Sequence, residues 1–185
     1  MERRGKVSKL MILFFLCFLF FVLLQFISPL LLPNDTVVDI SGSTIFRDHP
    51  EKEHNLPMPH ALVYALGDLL CHQKASRSLY LNQNQLPFCS RCTAIWVGIA
   101  AGLFISLLFR IQLSPRFLGV FLLCLLPLGI DGIGQLLGFW ESTNLLRMLT
   151  GLPAGFLTGI ACISILDEFH LNKLLKNKRK KWSLD

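Results

Sequence analysis

The sequence predicts an all-α, polytopic membrane protein of about four transmembrane helices plus a short interfacial or re-entrant helix. Three observations carry that prediction. Hydrophobic residues make up 52% of the 185, mean hydropathy is +0.53, and apolar runs recur that approach the roughly 20 residues needed to cross a bilayer. The length allows one domain.

The first run, Leu10 to Leu32, is rich in Phe and Leu and free of charge. Its basic flank (Arg3, Arg4, Lys6, Lys9) suits a signal peptide, but signal cores span only about 7–15 residues. This run is longer and ends at Ser28-Pro29 without a small-x-small cleavage site, so residues 1–32 read as an uncleaved anchor. Residues 33–60 are polar, with Pro, Asp, Ser and Gly, and read as an exposed connector. Ala61 to Cys71 is apolar but too short to cross. Leu62, Leu66, Leu69 and Leu70 follow helical spacing there, which suits a helix lying at the interface or dipping into the bundle.

That short helix opens a membrane domain over 61–166 with three further runs. These are Thr93 to Phe109, Phe117 to Phe139 (broken by Asp131 and Gln135) and Leu149 to Leu166. Gly98 and Gly102, Gly134 and Gly138, then Gly151, Gly155 and Gly159 recur every fourth residue. Small residues at that spacing let helix backbones approach, so these spans are expected to form a compact three-helix unit. The first span has no such series and is expected at the periphery. Residues 167–185 form a basic tail.

Charge sets the expected orientation. Arg3, Arg4, Lys6 and Lys9 precede the first run, Arg110 and Arg116 flank the link between the second and third, and Lys173, Lys176, Lys178, Arg179, Lys180 and Lys181 follow the fourth. The positive-inside rule places all three segments in the cytoplasm, giving a multi-pass protein of the cell membrane with both termini cytoplasmic. The segment from Pro33 to Cys92 and the turn near Glu141 then face outward. The formal charge of +6 resides mainly in the tails, where it serves topology and attraction to anionic lipid. No aromatic-interleaved basic groove accompanies it, so nucleic acid is not an expected partner.

The densest chemistry lies between Cys71 and Cys92: Cys71-His72-Gln73, Arg77-Ser78, then Cys89-Ser90-Arg91-Cys92 opening the second span. Thiols and imidazole bind soft metals or exchange electrons. A C-x-x-C turn is the usual half of a tetrahedral zinc site, and Cys71, His72, Cys89 and Cys92 offer a Cys3His set. Adjacent Cys71 and His72 are an awkward pair because neighbouring side chains diverge. Asp131 or water in place of His72 would leave an open coordination sphere.

Other polar groups converge on the same face. Asp131 and Gln135 are four residues apart on the third span. Glu141-Ser142-Thr143-Asn144 forms the next turn, followed by Arg147 and Thr150. An intramembrane carboxylate is a functional hypothesis by default. Asp131 and Arg147 are therefore the candidate catalytic residues, orienting ligands or substrate, with Arg77, Arg91, Gln135, Glu141 and Asn144 as the surrounding polar site. Each has a plainer reading: Asp131 as the structural partner of Arg147, Arg147 snorkelling or paired with Glu141, and the hydroxyls of the 142–144 turn as helix caps. Cys17, Cys124 and Cys162 read as small hydrophobes, and His49, His54, His60 and His170 as solvated.

Two rivals stand beside metal binding. In thiol–disulfide exchange, Arg91 and the helix N-terminus would lower a thiol pKa and Cys71 would be the exchanging partner. In a scaffold or lipid-headgroup-binding protein, Arg77, Arg91 and Arg147 would hold a phosphate. A structural disulfide would leave one of the three loop cysteines over. Covalent haem is disfavoured because Thr93 stands where C-x-x-C-H needs His.

These motifs, taken in order, resemble a family of uncharacterised archaeal and bacterial integral membrane proteins catalogued as a domain of unknown function. The family pattern is similar to Cys-His-Gln, Arg-Ser, C-x-R-C-T-G-I-Y, D-G-x-x-Q and S-T-N-x-x-R-x-x-T-G. It maps here onto Cys71-His72-Gln73, Arg77-Ser78, Cys89-Ser90-Arg91-Cys92-Thr93, Asp131-Gly132 with Gln135, and Ser142-Thr143-Asn144 with Arg147 and Thr150-Gly151. Ala94 and Trp96 depart from the family's Gly and Tyr. The resemblance covers about half the chain and implies a prokaryotic membrane protein with a shared site, but no activity.

Overall fold

The computed structural model describes residues 2–4, 7–42 and 55–182. Lys6 of the first basic flank, residues 43–54 of the connector (with Asp48, His49, Glu51, Glu53 and His54) and 183–185 of the tail lie outside them. In chain order the elements are β1 (Glu2–Arg3), α1 (Lys9–Leu31), α2 (His60–Leu70), a 3-10 turn (Ala75–Arg77), β2 (Ser78–Leu81), β3 (Asn84–Cys89), α3 (Ser90–Leu108), β4 (Phe109–Arg110), α4 (Pro115–Leu136) and α5 (Asn144–Trp182). As the hydropathy pattern predicts, α1, α3, α4 and the Asn144–Glu168 part of α5 are long and apolar enough to cross a membrane. The protein is thus helical and polytopic, with two small antiparallel strand pairs, β1–β4 and β2–β3, that periodicity alone did not indicate.

The closest helix contact is between α3 and α5. A side chain on Gly98, Gly102, Gly155 or Gly159 would collide with the carbonyl oxygen of Leu152, Phe156, Ile95 or Ile99 respectively. The backbones therefore meet with no side chain between them, as the small-x-x-x-small spacing predicts. Helix α4 departs from the expected three-helix unit. It rests against α5, exposes Leu122, Leu123, Leu126 and Ile130, and uses its glycines at the turn instead. Gly138 adopts φ 77°, the left-handed conformation that favours glycine, and the Phe139 and Gly138 N–H groups donate to the Gly134 and Gln135 carbonyls at 2.9 and 3.3 Å. This is a Schellman C-cap. Gly134 gives its open side to the Trp140 ring.

Helix α1 is held to α3 by aromatic packing. Trp96 sits 5.7 Å from Phe18, 5.3 Å from Phe21 and 5.9 Å from Phe88, centroid to centroid. The bulk of Trp96 fills this junction. At the other end of α1 the Arg4 guanidinium forms a two-pronged ion pair with Asp167, one arm at 2.8 Å. β1 pairs with β4 nearby, and the Ser164 hydroxyl donates to the Ile111 carbonyl at 2.8 Å. The chain before α1, the α3–α4 link and the far end of the fourth span therefore share one end of the bundle. Even parity of four spans requires that.

The opposite end carries α2 and the β2–β3 hairpin. Leu62, Leu69 and Leu70 of α2 are exposed while Val63, Tyr64 and Gly67 face the protein, an amphipathic division that suits an interfacial helix. The hairpin turns at Asn82 and Gln83, with φ 50° and 60°, and its residues substitute for missing helix partners. Asn84 is fully buried. Its amide donates to the Pro29 and Pro33 carbonyls at the end of α1, at 3.0 and 2.9 Å, and accepts from the Val37 N–H at 2.9 Å. The Pro29 carbonyl is one that a helix end leaves unpaired.

The glycine contacts generate a stability prediction. Gly155→Leu forces α3 and α5 apart and is expected to cost about 1–3 kcal/mol or more. Gly119→Ala, where an added Cβ meets nothing within 4 Å, is expected to be neutral or slightly stabilising. Thermal unfolding of the detergent-solubilised variants, side by side, checks both.

Candidate functional site

The site is built where α2, the hairpin, α3, α4 and α5 meet. Cys71 is the C-cap of α2 and its N–H donates to the Gly67 carbonyl at 2.9 Å. Gly67 has no room for a side chain because the Pro87 carbonyl lies against it. The Gln73 amide donates to that same carbonyl at 2.8 Å, so the end of α2 is fastened to the strand that leads to Cys89. Cys89 is in turn the N-cap of α3. The helix starts at Ser90, three residues before the hydropathy boundary, and Cys92 falls in its first turn.

The three thiol sulfurs converge within 4.8 Å of one another, and the Cys89 N–H donates to Cys71 Sγ at 3.4 Å. Around tetrahedral zinc, with Zn–S near 2.3 Å, sulfurs lie roughly 3.8 Å apart, so small side-chain adjustments bring these three onto one ion. Cys71 is buried and the other two half-buried. The neighbouring thiols of Cys71 and Cys92 hold the Cys89 thiol well below its ordinary value, as an acceptor at a helix N-terminus favours. Donation to Cys89 pushes Cys71 up. His72 does not join the cluster. Extended backbone at Cys71, φ −145° and ψ 144°, turns consecutive side chains to opposite sides. His72 is exposed at the rim of the cavity.

Beside the thiols lies a cavity of about 150 Å³ whose walls include Arg77, Arg91, Gln135 and Arg147. Asp131 is buried and forms an ion pair with Arg91, and the Trp140 indole N–H reaches its other oxygen at 3.4 Å. Arg91, inside the C-x-x-C motif, is thus the partner of Asp131 in place of Arg147. Arg147, 3% exposed, donates to the Asn144 side-chain oxygen at 2.8 Å. With its amide oxygen turned to the guanidiniums, Gln135 accepts from Arg147 Nη2 at 2.7 Å and Arg77 Nη2 at 3.2 Å. Asn144 also donates to the Ser78 carbonyl at 3.4 Å, tying α5 to the hairpin. Glu141 is exposed in the turn and does not line the cavity. Thr143 caps α5 through the Leu146 N–H at 3.2 Å, so the helix begins five residues before the hydropathy boundary.

Other cysteines and histidines stand apart. Cys17, Cys124 and Cys162 lie within α1, α4 and α5, and His60 Nδ1 sits 3.0 Å from the Ser28 hydroxyl. Lys74 also lines the cavity but was not singled out from the sequence; as a lone lysine in a loop it gave no signal. Nor were Asn84 and Gln85, whose buried amides organise the loop together with that of Gln73.

Comparison with known proteins places this geometry. Residues 71–161 match the profile of a family described as predicted membrane protein (DUF2085), a span that includes all three clustered thiols, Asp131 and Arg147. An uncharacterized protein of Methanothermobacter thermautotrophicus is 37% identical over 95 residues, covering 51% of this chain and 84% of that relative. Another, from Methanocaldococcus jannaschii, is 32% identical over 115 residues, 60% of this chain and 72% of its own. No solved structure matches the chain.

The Arg91–Asp131 pair is expected to be structural. Asp131→Asn leaves the Arg91 charge uncompensated and should lower stability by about 1–3 kcal/mol, below the roughly 3–5 kcal/mol of a fully buried pair because Arg91 is partly open to solvent. The Arg91→Gln/Asp131→Asn double variant should recover part of that loss. A double-mutant cycle by thermal unfolding in detergent measures the coupling.

Proposed function

The chain belongs to the DUF2085 family of predicted membrane proteins, and on that footing we propose that Cys71, Cys89 and Cys92 bind a soft divalent metal, zinc, at the extracytoplasmic face of the cell membrane. The observation that carries this reading is the convergence of three thiol sulfurs within 4.8 Å, delivered by two segments 18 residues apart in sequence. A thiolate set selects zinc or another soft ion over hard cations. Three protein ligands leave one position open, the arrangement of catalytic rather than closed structural zinc sites. With Asp131 committed to Arg91, that position falls to water or an external ligand. Asp131 acts as a positioning residue for Arg91, and Arg147 faces the bound ligand.

A second reading, thiol–disulfide exchange, is favoured by the same free thiols and by the low-lying Cys89. Metal content separates the two. Detergent-purified wild type should carry near-stoichiometric zinc, and Cys89→Ser/Cys92→Ser should carry at least roughly tenfold less. No metal in either sample, with a reversible two-electron thiol couple in wild type, would establish exchange instead.

The orientation rests on the distribution of Arg and Lys and on the shared end of β1, β4 and Asp167. Both termini are cytoplasmic in this reading, with the basic tail near anionic lipid. A topology reporter after Asp185 should be active in the cytoplasm, and one inserted at Asn82-Gln83 should be active only outside. The reverse pattern inverts the protein and moves the thiols into a reducing compartment.

A further inference from the structure

The cavity beside the thiols has a second property, independent of metal ligation and going beyond that reading: among the described residues, it holds more positive charge than its walls neutralise. Arg77, Arg91, Arg147 and Lys74 all line it. Only Arg91 has a carboxylate within ion-pair distance among the described residues. Arg77 and Arg147 instead share one neutral acceptor, the Gln135 amide oxygen. Two like charges brought to a single amide oxygen repel, and a negative group nearby would stabilise the arrangement.

Arg147 makes the point sharply. It is 3% exposed, its Nη atoms are held by Asn144 and Gln135, and its buried Nε has no hydrogen-bond partner. A guanidinium has five donors and cannot shed its charge, so a buried one with an orphan donor marks a place where an acceptor belongs. The thiols do not supply the balance. Three thiolates around a divalent ion carry one net negative charge, against the three positive charges of Arg77, Arg147 and Lys74.

We propose that this cavity binds a phosphate group, seated between Arg77 and Arg147 with Lys74 at the rim. Planar guanidiniums match a phosphate's oxygens by paired N–H donation, whereas a single carboxylate would leave part of the charge surplus in place. The volume, about 150 Å³, is below the roughly 300–1,000 Å³ of pockets for drug-sized ligands and suits a headgroup-sized anion. Leu70, the exposed end of the amphipathic α2, borders the same cavity. A phosphate on a lipid can therefore enter from the membrane surface, and free phosphate from the aqueous side.

The test uses the full chain with metal content measured on every sample. Inorganic phosphate should bind saturably to wild type at low ionic strength. Arg77→Gln should weaken it by at least roughly tenfold, with zinc content unchanged. Lys74→Gln, at an exposed position where folding is not at stake, should weaken it several-fold and serves if Arg77→Gln does not fold. In lipid discs, phosphatidic acid mixed into phosphatidylcholine should suppress phosphate binding if the ligand is a lipid; undiminished binding assigns the site to free phosphate, and either result supports it. No saturable binding by wild type, or equal affinity in wild type and the folded variants, overturns the proposal. Loss of zinc from no thiol variant, with phosphate binding intact, defeats the metal reading alone.

Discussion

The side-chain-free contact between α3 and α5 is the constraint from which the rest of the molecule follows. The two helices run in the same direction, and Gly151, Gly155 and Gly159 meet the carbonyl oxygens of Arg91, Ile95 and Ile99 in turn. Each step is one helical turn on both helices, so the register is locked over three turns. One turn back from Gly151 on α5 is Arg147, and one turn back from Arg91 on the other chain segment is the Pro87–Cys89 strand end. The packing that closes the bundle thereby sets Arg147 beside the C-x-x-C motif. Any side chain inserted at Gly155 or Gly159 would disturb the site from a distance by changing that register.

The end of the bundle that carries the hairpin must then solve a polar problem that the helices create. Helix ends leave carbonyls and N–H groups unpaired, and near lipid these are expensive. The hairpin answers with amides. Asn84 covers the end of α1, Gln73 and Tyr64 take the Pro87 and Gln85 carbonyls, and the Ser90 hydroxyl takes the Arg77 carbonyl at 2.9 Å. The last bond matters to the site because it fixes the backbone from which Arg77 projects to the N-terminus of α3. Neutral amides and hydroxyls thus make many of the hydrogen bonds that hold the loop.

Much of this was legible in the sequence. Four apolar runs marked four spans, and glycines at every fourth residue marked close helix packing, which holds for α3 and α5, because both signals are local and periodic. The thiol cluster was legible because Cys89 and Cys92 are one turn apart and Cys71 ends an amphipathic stretch. The rest depends on contacts that no local pattern encodes. Gly134 and Gly138 carry the same spacing as the packing glycines, yet a positive φ and the Trp140 ring claim them. The hairpin turns through Asn82-Gln83 without the glycine that usually advertises such a turn. The sequence suggested Arg147 as the structural partner of Asp131, and the structure gives that place to Arg91, a contact between separate helices that no local pattern encodes.

That decision reshapes what the site can do. Had Asp131 paired with Arg147, Arg91 would stand free inside the C-x-x-C motif and the charge surplus would sit directly on the thiols. That would favour a reactive thiolate and disulfide chemistry. With Asp131 holding Arg91, the cations Arg77, Arg147 and Lys74 have no carboxylate within ion-pair distance among the described residues, and Arg77 and Arg147 converge on Gln135. These cations and the three thiols line one cavity of about 150 Å³. The proposed metal and phosphate sites would therefore share that one cavity, with the thiols as the ligand set for the first and Arg77 and Arg147 as the donors for the second. His72 stays outside the thiol cluster, at the cavity's rim.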